Sequence, residues 1–501
     1  MSQSGSAVAA DQTSCLDPPI AAPTRWGLDR EFGLLALLFI SLRLAAVLFL
    51  RSGGYVYQGD HDFLFYRDVG ELSLSGYYPY LDYWMEYPPL AAWAIVGVYR
   101  LSLLLPSWPD SLLWFHTFLA TFSAIFDVGN LFLVYKIADL LHGRRLGLRA
   151  AWIYALLFLP LYALISWLDS MAVFFLLLTT WLALRGRPAT AGVAAGLGLL
   201  TKLIPAVAVP AGFLGFQQYP RRVRYLAAFL FVVAILAGPL LVANPTMFLA
   251  SAREIVSRAS WETIWALLEN YFGPGLVPYL ASRFDPSVAT WQSHPGAFPK
   301  WPITGAFLLS CLLLYTRRLA WHRPQVAIPA IALTVNLLLV FSTGFSPQYL
   351  LYPLVFLIVV WPSLRGAAYA VLLTADDLLE WPFAIGYFGS DHQMDWLVIL
   401  TRTILLIWLC VEYGGLLFGG VAGRWAMLRH RLRWLVVAGA TAAVIAGIGL
   451  TAHHYFERTH PDDATSIGEY LDWFSVPDQA AIATSRDAFY QIRPRVSLDH
   501  W

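Results

Sequence analysis

Apolar runs of about twenty residues, the length a helix needs to cross a bilayer, recur along most of this chain, with short polar stretches between them. The pattern predicts membrane helices over 31–50, 112–138, 150–165, 171–185, 190–201, 203–218, 225–243, 303–316, 325–342, 348–361, 367–385, 396–417 and 434–451. The run 31–50 is too long for a signal-peptide core, and no small-residue cleavage site follows it, so it reads as a retained anchor. A further apolar segment, 89–105, begins at Pro88-Pro89, and proline suits the first turn of a helix. The expected fold class is an all-α polytopic membrane protein.

Charge then sets orientation. Basic clusters mark the cytoplasmic side, and here they are Arg144/Arg145/Arg149, Arg185/Arg187, Arg221/Arg222/Arg224, Arg317/Arg318/Arg323, Arg365 and Arg424/Arg429/Arg431/Arg433. Keeping all of them on one side requires even numbers of spans between them. If 89–105 crossed, Arg144 and Arg145 would fall outside, so this segment is expected to lie in or dip into the outer leaflet. About thirteen spans result. They give a cytoplasmic tail (1–30), a transmembrane domain (31–451) and an extracytoplasmic tail (452–501). The main outer loops are 51–111 and 244–302. In the second, SAREIVSRASWETIWALLENYFG has apolar positions at helical spacing and predicts an amphipathic surface helix. The tail carries eight acids against four arginines and is too short for an independent enzyme. No tandem or inverted repeat is evident.

The outer face gathers the polar chemistry. Residues 58–90 hold six acids, Asp60, Asp62, Asp68, Glu71, Asp82 and Glu86, against one arginine, Arg67, among many Tyr and Trp. A plain connector needs none of this. Asp60-His61-Asp62 suits a general base with a second acid that positions substrate or a metal; the plainer alternative is a helix cap. Tyr66, Asp82 and Glu86 share the loop and are read as substrate contacts. Glu86 precedes Tyr87-Pro88-Pro89, whose prolines restrict the backbone before them. Asp169, in a short outer turn, is either a second substrate contact or a solvated turn residue. Lys202 is the one lysine between Ala189 and Pro210. A lone charge among apolar helices calls for a partner: an anionic lipid headgroup, the interface, or Asp169. Arg258 and Arg402 are weaker candidates for the same role. Arg43 and Asp127, both inside predicted spans, are expected to pair. Asp376, Asp377 and Glu380 lie near the outer end of a late span.

With 58% hydrophobic and 13% charged residues, the chain is no soluble enzyme, and a net charge of +1 without a basic aromatic tract offers nothing to nucleic acid. Of Cys15, Cys311 and Cys410, two lie in apolar runs, against a disulfide framework. There is no HExxH, CxxC pair, Gly-rich phosphate loop or nucleophile elbow. A nucleotide-sugar donor would also sit on the wrong side of the membrane.

Asp60-His61-Asp62-Phe63, Gly76-Tyr77-Tyr78-Pro79-Tyr80 and Glu86-Tyr87-Pro88-Pro89-Leu90, with Thr201-Lys202-Leu203-Ile204-Pro205 and Ser346-Pro347-Gln348-Tyr349-Leu350, together resemble the GT-C superfamily of integral-membrane glycosyltransferases. Within it, they are similar to the polyprenol-phosphate-mannose-dependent mannosyltransferases of the phosphatidylinositol-mannoside and GPI-anchor type. There a DxD-like motif opens the first outer loop, and a G-x-x-P-Y and a Y-P-P-L element follow. The resemblance covers roughly residues 55–355. It implies inverting transfer of a sugar, mannose in that family, from a polyprenyl-phosphate donor to a hydroxyl of a lipid-linked or glycan acceptor. Asp62, or alternatively Asp60, would take the hydroxyl proton. Lys202 and Arg258 would stabilise the departing lipid phosphate, and Gln348 and Tyr349 would contact substrate. Some members of the superfamily use a divalent metal; with only a DxD-like pair, no metal or other cofactor is assigned. The rival from another class is a transporter or flippase of a lipid-linked sugar, which would place its functional charges at mid-membrane in broken or repeated helices.

Overall fold

The computed structural model describes residues 30–49, 60–106, 112–381, 392–419 and 424–459; the side chains of 60, 61, 166, 424–430 and 454–459 are outside that description. The predicted tails therefore lie almost wholly outside the described residues. The chain is helical, and among the described residues the extended pairings are two isolated bridges, Pro79 with Tyr83 and Trp261 with Gly344.

Helix α1 (Arg30–Phe49) turns Phe32, Leu35 and Phe39 into the core and exposes Leu34, Leu37, Leu42 and Leu48, the surface expected of a helix facing lipid. After it come α2 (Asp60–Leu74) and α3 (Pro89–Ser102). At 14 residues, α3 is about 21 Å long, against the roughly 30 Å of a hydrocarbon core. It is tied to α2 instead: Arg100 on α3 donates to Ser73 and to the Tyr78 hydroxyl (2.9 Å). Helix α4 (Leu113–His142) carries Asp127, which pairs with Arg43 of α1 at 2.8 Å, as expected for two buried in-membrane charges.

The predicted span 150–165 is two helices, α5 (Arg144–Leu156) and α6 (Phe158–Ser166), bent by 53° at Leu157. Pro160 lacks the N–H that would bond the Leu156 carbonyl, so the helix cannot run through. Next come α7 (Asp169–Leu184), α8 (Pro188–Thr201), a 3-10 turn (Ile204–Val207), α9 (Ala208–Gly215) and α10 (Tyr219–Ala243). Helices α8 and α10 cross with backbones almost touching: a Cβ on Gly192 would lie 2.2 Å from the Tyr225 carbonyl oxygen, and one on Gly196 would lie 2.9 Å from Val232. Small residues four apart allow this approach where lipid supplies no hydrophobic drive between helices.

The predicted amphipathic helix over 251–273 is also divided, into α11 (Pro245–Ser257) and α12 (Ile264–Leu268). Between them the Trp261 N–H donates to the Thr343 carbonyl, and the Phe345 N–H donates to the Trp261 carbonyl, both at 3.1 Å. Tertiary pairing overrides the helical spacing there, and Glu262 takes a positive φ of 49°.

The second half runs α13 (Lys300–Tyr315), α14 (Pro324–Phe341), a 3-10 turn (Pro347–Leu350), α15 (Leu351–Val360), α16 (Leu364–Leu378), α17 (His392–Phe418) and α18 (Arg424–Thr459). Every residue of α15 is buried, and it packs against α4, α5, α7, α14 and α16. A helix apolar on all faces belongs at the centre, and α15 is that centre.

Each of the thirteen predicted segments contains a helix. By length and composition, six are long and apolar enough to cross a membrane, α1, α4, α10, α14, α17 and 431–453 of α18, or seven if the bent α5–α6 pair is one span. The apolar segments 169–184, 188–201, 204–215, 300–315 and 347–360 are shorter.

Candidate active site

Most of the six acids of the first loop have partners. Arg67 pairs with Asp68 at 2.6 Å and Glu71 at 3.5 Å on the surface of α2. Asp82 accepts the Tyr78 N–H at 2.7 Å and so closes a turn. Glu86 is held by both terminal nitrogens of Arg283, whose side chain is 1% exposed and lies over Phe65 (4.5 Å) and Trp84 (5.0 Å). Glu86, expected to contact substrate, is thus tied to Arg283 across the seam between the first loop and 278–290. The Trp84 indole, donating to the Asp285 carbonyl at 3.2 Å, reinforces that seam.

Asp62 is different. It lies in the first turn of α2, and its Oδ2 accepts a 2.5 Å hydrogen bond from the Trp167 indole N–H. Its Oδ1 makes no hydrogen bond among the described residues. Burial pushes its carboxyl above the usual carboxylate range. The Trp167 hydrogen bond opposes this, Glu86 adds to it, and the charges of Lys202 and Arg258 pull it back. The side chain of Asp60 lies outside the described residues.

Five other segments complete the surroundings. The Tyr66 hydroxyl donates to the Tyr87 hydroxyl at 3.0 Å, and Tyr87 feels the charges of both Asp62 and Glu86. The turn between α6 and α7 supplies Trp167 and Asp169. Lys202, just past the end of α8, donates to both oxygens of Asp169, at 2.7 and 2.8 Å, and its Nζ lies 4.6 Å from the centre of the Tyr349 ring. The Tyr352 hydroxyl donates to the same carboxylate at 2.8 Å. Asp169 is therefore the protein partner of Lys202, and it is 2% exposed, so it is no solvated turn residue. Gln348, beside Tyr349, is buried and its Oε1 makes no hydrogen bond.

Arg258, at the end of α11, lies over Trp261 (4.1 Å) and donates to the Gly275 carbonyl at 2.8 Å, with Glu254 3.7 Å from its Nε. That Nε is buried and makes no hydrogen bond. Arg402 is committed elsewhere. It pairs with Glu380, donates to the Glu262 carbonyl and lies 3.5 Å from the centre of the Phe345 ring. Asp376, Asp377 and Glu380 are buried within reach of that arginine's charge or bonded to it. Among the described residues no group of three or more His, Cys, Asp or Glu is placed to hold a metal ion.

The chain thus brings Asp62, Tyr66, Asp169, Lys202, Arg258 and Tyr349 toward one constellation at one end of the helices. Trp167, Arg283 and Tyr352 were not singled out by the sequence reading. Trp167 carried the one usable signal, an indole two residues before Asp169 in a turn between spans. Arg283 and Tyr352 carried none.

No family model and no curated protein matches this chain. Among solved structures, ArnT from Cupriavidus metallidurans bound to undecaprenyl phosphate is similar over 83% of this chain and 75% of its own length, with a TM-score of 0.41 and 16% identity. The same protein in the apo state gives 84%, 76%, 0.40 and 17%.

Proposed function

We propose that this chain is an integral-membrane glycosyltransferase of the GT-C kind. It moves a sugar, mannose by the motif resemblance, from a polyprenyl-phosphate donor to a hydroxyl of a lipid-linked or glycan acceptor on the extracytoplasmic face. One observation carries the reading: Asp62 has one oxygen fixed by an indole N–H, the other without a hydrogen bond, and two cations within electrostatic reach.

The chemistry follows from that arrangement. Asp62 Oδ1 accepts the proton of the acceptor hydroxyl as its oxygen bonds to the anomeric carbon from the face opposite the phosphate. The bond from that carbon to the phosphate oxygen breaks, and its electron pair leaves with the polyprenyl phosphate. Products are the glycosylated acceptor, polyprenyl phosphate and a protonated Asp62. The leaving group gains charge, so cations stabilise it without a general acid. Arg258, whose Nε has Glu254 3.7 Å away but makes no hydrogen bond, suits that role better than Lys202, which gives two hydrogen bonds to Asp169. Burial makes Asp62 a stronger base than an exposed aspartate, and the charges of Lys202 and Arg258 oppose that rise.

The test is incubation of membranes or purified protein with radiolabelled polyprenyl-phosphate sugars and extracted membrane acceptors. Labelled product that depends on this protein is the expected result. Absence of product across polyprenyl-phosphate hexoses, with the protein folded and donor bound, would overturn the proposal.

A further inference from the structure

The turn between α6 and α7 reaches two functional groups at once. Trp167 donates to Asp62, and two residues later Asp169 takes both hydrogen bonds from Lys202. The turn itself is fastened to α4: the Ser123 hydroxyl donates to the Trp167 carbonyl at 3.1 Å, and the Asn130 amide donates to the Ser170 carbonyl at 2.9 Å. Trp167 is 5% exposed, and its ring meets Tyr162 edge-on at 5.5 Å, so the indole has little freedom to swing away.

We propose that Trp167 is a positioning residue for Asp62: its N–H holds Oδ2 and thereby presents Oδ1 to the acceptor hydroxyl. This rests on the reading of Asp62 as the base.

A carboxylate in the first turn of a helix can rotate about two side-chain bonds, and a base must aim one oxygen at the proton it removes. A hydrogen bond from a packed indole to the other oxygen fixes both rotations. Tryptophan suits the task because its N–H only donates, so it cannot compete for the proton in flight. The bond also favours the ionised carboxylate, opposing the burial that disfavours it. Among the described residues the other charged or titratable groups that act on Asp62 are Glu86, Lys202, Arg258 and Tyr87. Among the described residues none of these hydrogen-bonds to Asp62, which leaves orientation to Trp167.

The test is Trp167→Phe, which keeps an aromatic ring in the packing and removes the donor. The expected kcat falls about ten- to a hundred-fold, the scale of a hydrogen bond to a charged group, while KM for the polyprenyl-phosphate donor stays within about twofold of wild type. The rising limb of the pH–rate profile moves to higher pH, because loss of the donor raises the proton affinity of Asp62. In an Asp62→Asn background, adding Trp167→Phe costs nothing further, since the two act as a unit. An unmoved pH profile, or a rate loss matched by a fall in thermal stability in detergent, overturns the positioning role while the base reading stands. Near-normal transfer by Asp62→Asn alone overturns the base reading and the positioning role with it.

Discussion

Lys202 and Asp169 lie 33 residues apart in the chain and meet through two hydrogen bonds, at 2.7 and 2.8 Å, with the aspartate side chain 3% exposed and the lysine side chain 14%. A lone lysine between apolar helices thus finds its counter-charge at the start of α7, the helix before α8. The pair leaves one ammonium proton for another acceptor.

Removing either partner strands a charge in a buried place, which costs about 3–5 kcal/mol. Lys202→Met should lower the melting temperature in detergent, and so should Asp169→Asn. The double variant Lys202→Met/Asp169→Asn should recover most of that loss, because neither charge remains. If the double variant is stable yet its donor binding stays about tenfold weaker or more, Lys202 also touches the donor phosphate. Normal binding in the stable double variant would confine Lys202 to a structural pair.

A second prediction concerns pH. The base acts when ionised, so the rate should rise as pH passes through the proton affinity of Asp62, which burial places above that of an exposed aspartate. Glu86→Gln removes a nearby negative charge and should move the rising limb to lower pH. Arg258→Met removes a positive one and should move it to higher pH. Movement in the same direction for both variants would contradict the electrostatic account. Glu86→Gln also leaves the buried Arg283 without its carboxylate, so melting temperatures must accompany these profiles.

Much of the architecture and part of the site were legible in the chain itself. Apolar runs announce helices because lipid tolerates little else, and a charge inside such a run is conspicuous, as Arg43, Asp127 and Lys202 were. The acids of the first loop stood out for the same reason. What stayed hidden was which acids are free. Trp167 reaches Asp62 across 105 residues, and Arg283 reaches Glu86 across 197. No local spacing encodes pairings at that distance, so Glu86 and Asp82 looked as available as Asp62. The breaks at Leu157 and at 258–263 were illegible for related reasons. The first needs the missing Pro160 N–H weighed against a continuous apolar run, and the second depends on a strand-like pairing with Thr343–Phe345.

Orientation can be checked directly. In a background lacking Cys15, Cys311 and Cys410, single substitutions Ser107→Cys and Ser111→Cys should react with an impermeant thiol reagent added outside intact cells. Arg145→Cys should react only after the membrane is opened. The reverse pattern would mean either that 89–105 crosses the bilayer or that the whole chain, with its candidate site, is inverted.

The central claim is that Asp62 is the base. The measurement is initial transfer rate from a radiolabelled polyprenyl-phosphate sugar by wild type, Asp62→Asn and Asp60→Asn, with donor binding measured in parallel. The account predicts that Asp62→Asn lowers the rate by about 10²–10⁴-fold while donor binding and melting temperature hold, and that Asp60→Asn keeps most of its activity. Near-wild-type transfer by Asp62→Asn would contradict it, and would move the base to Asp60 if Asp60→Asn is then inactive.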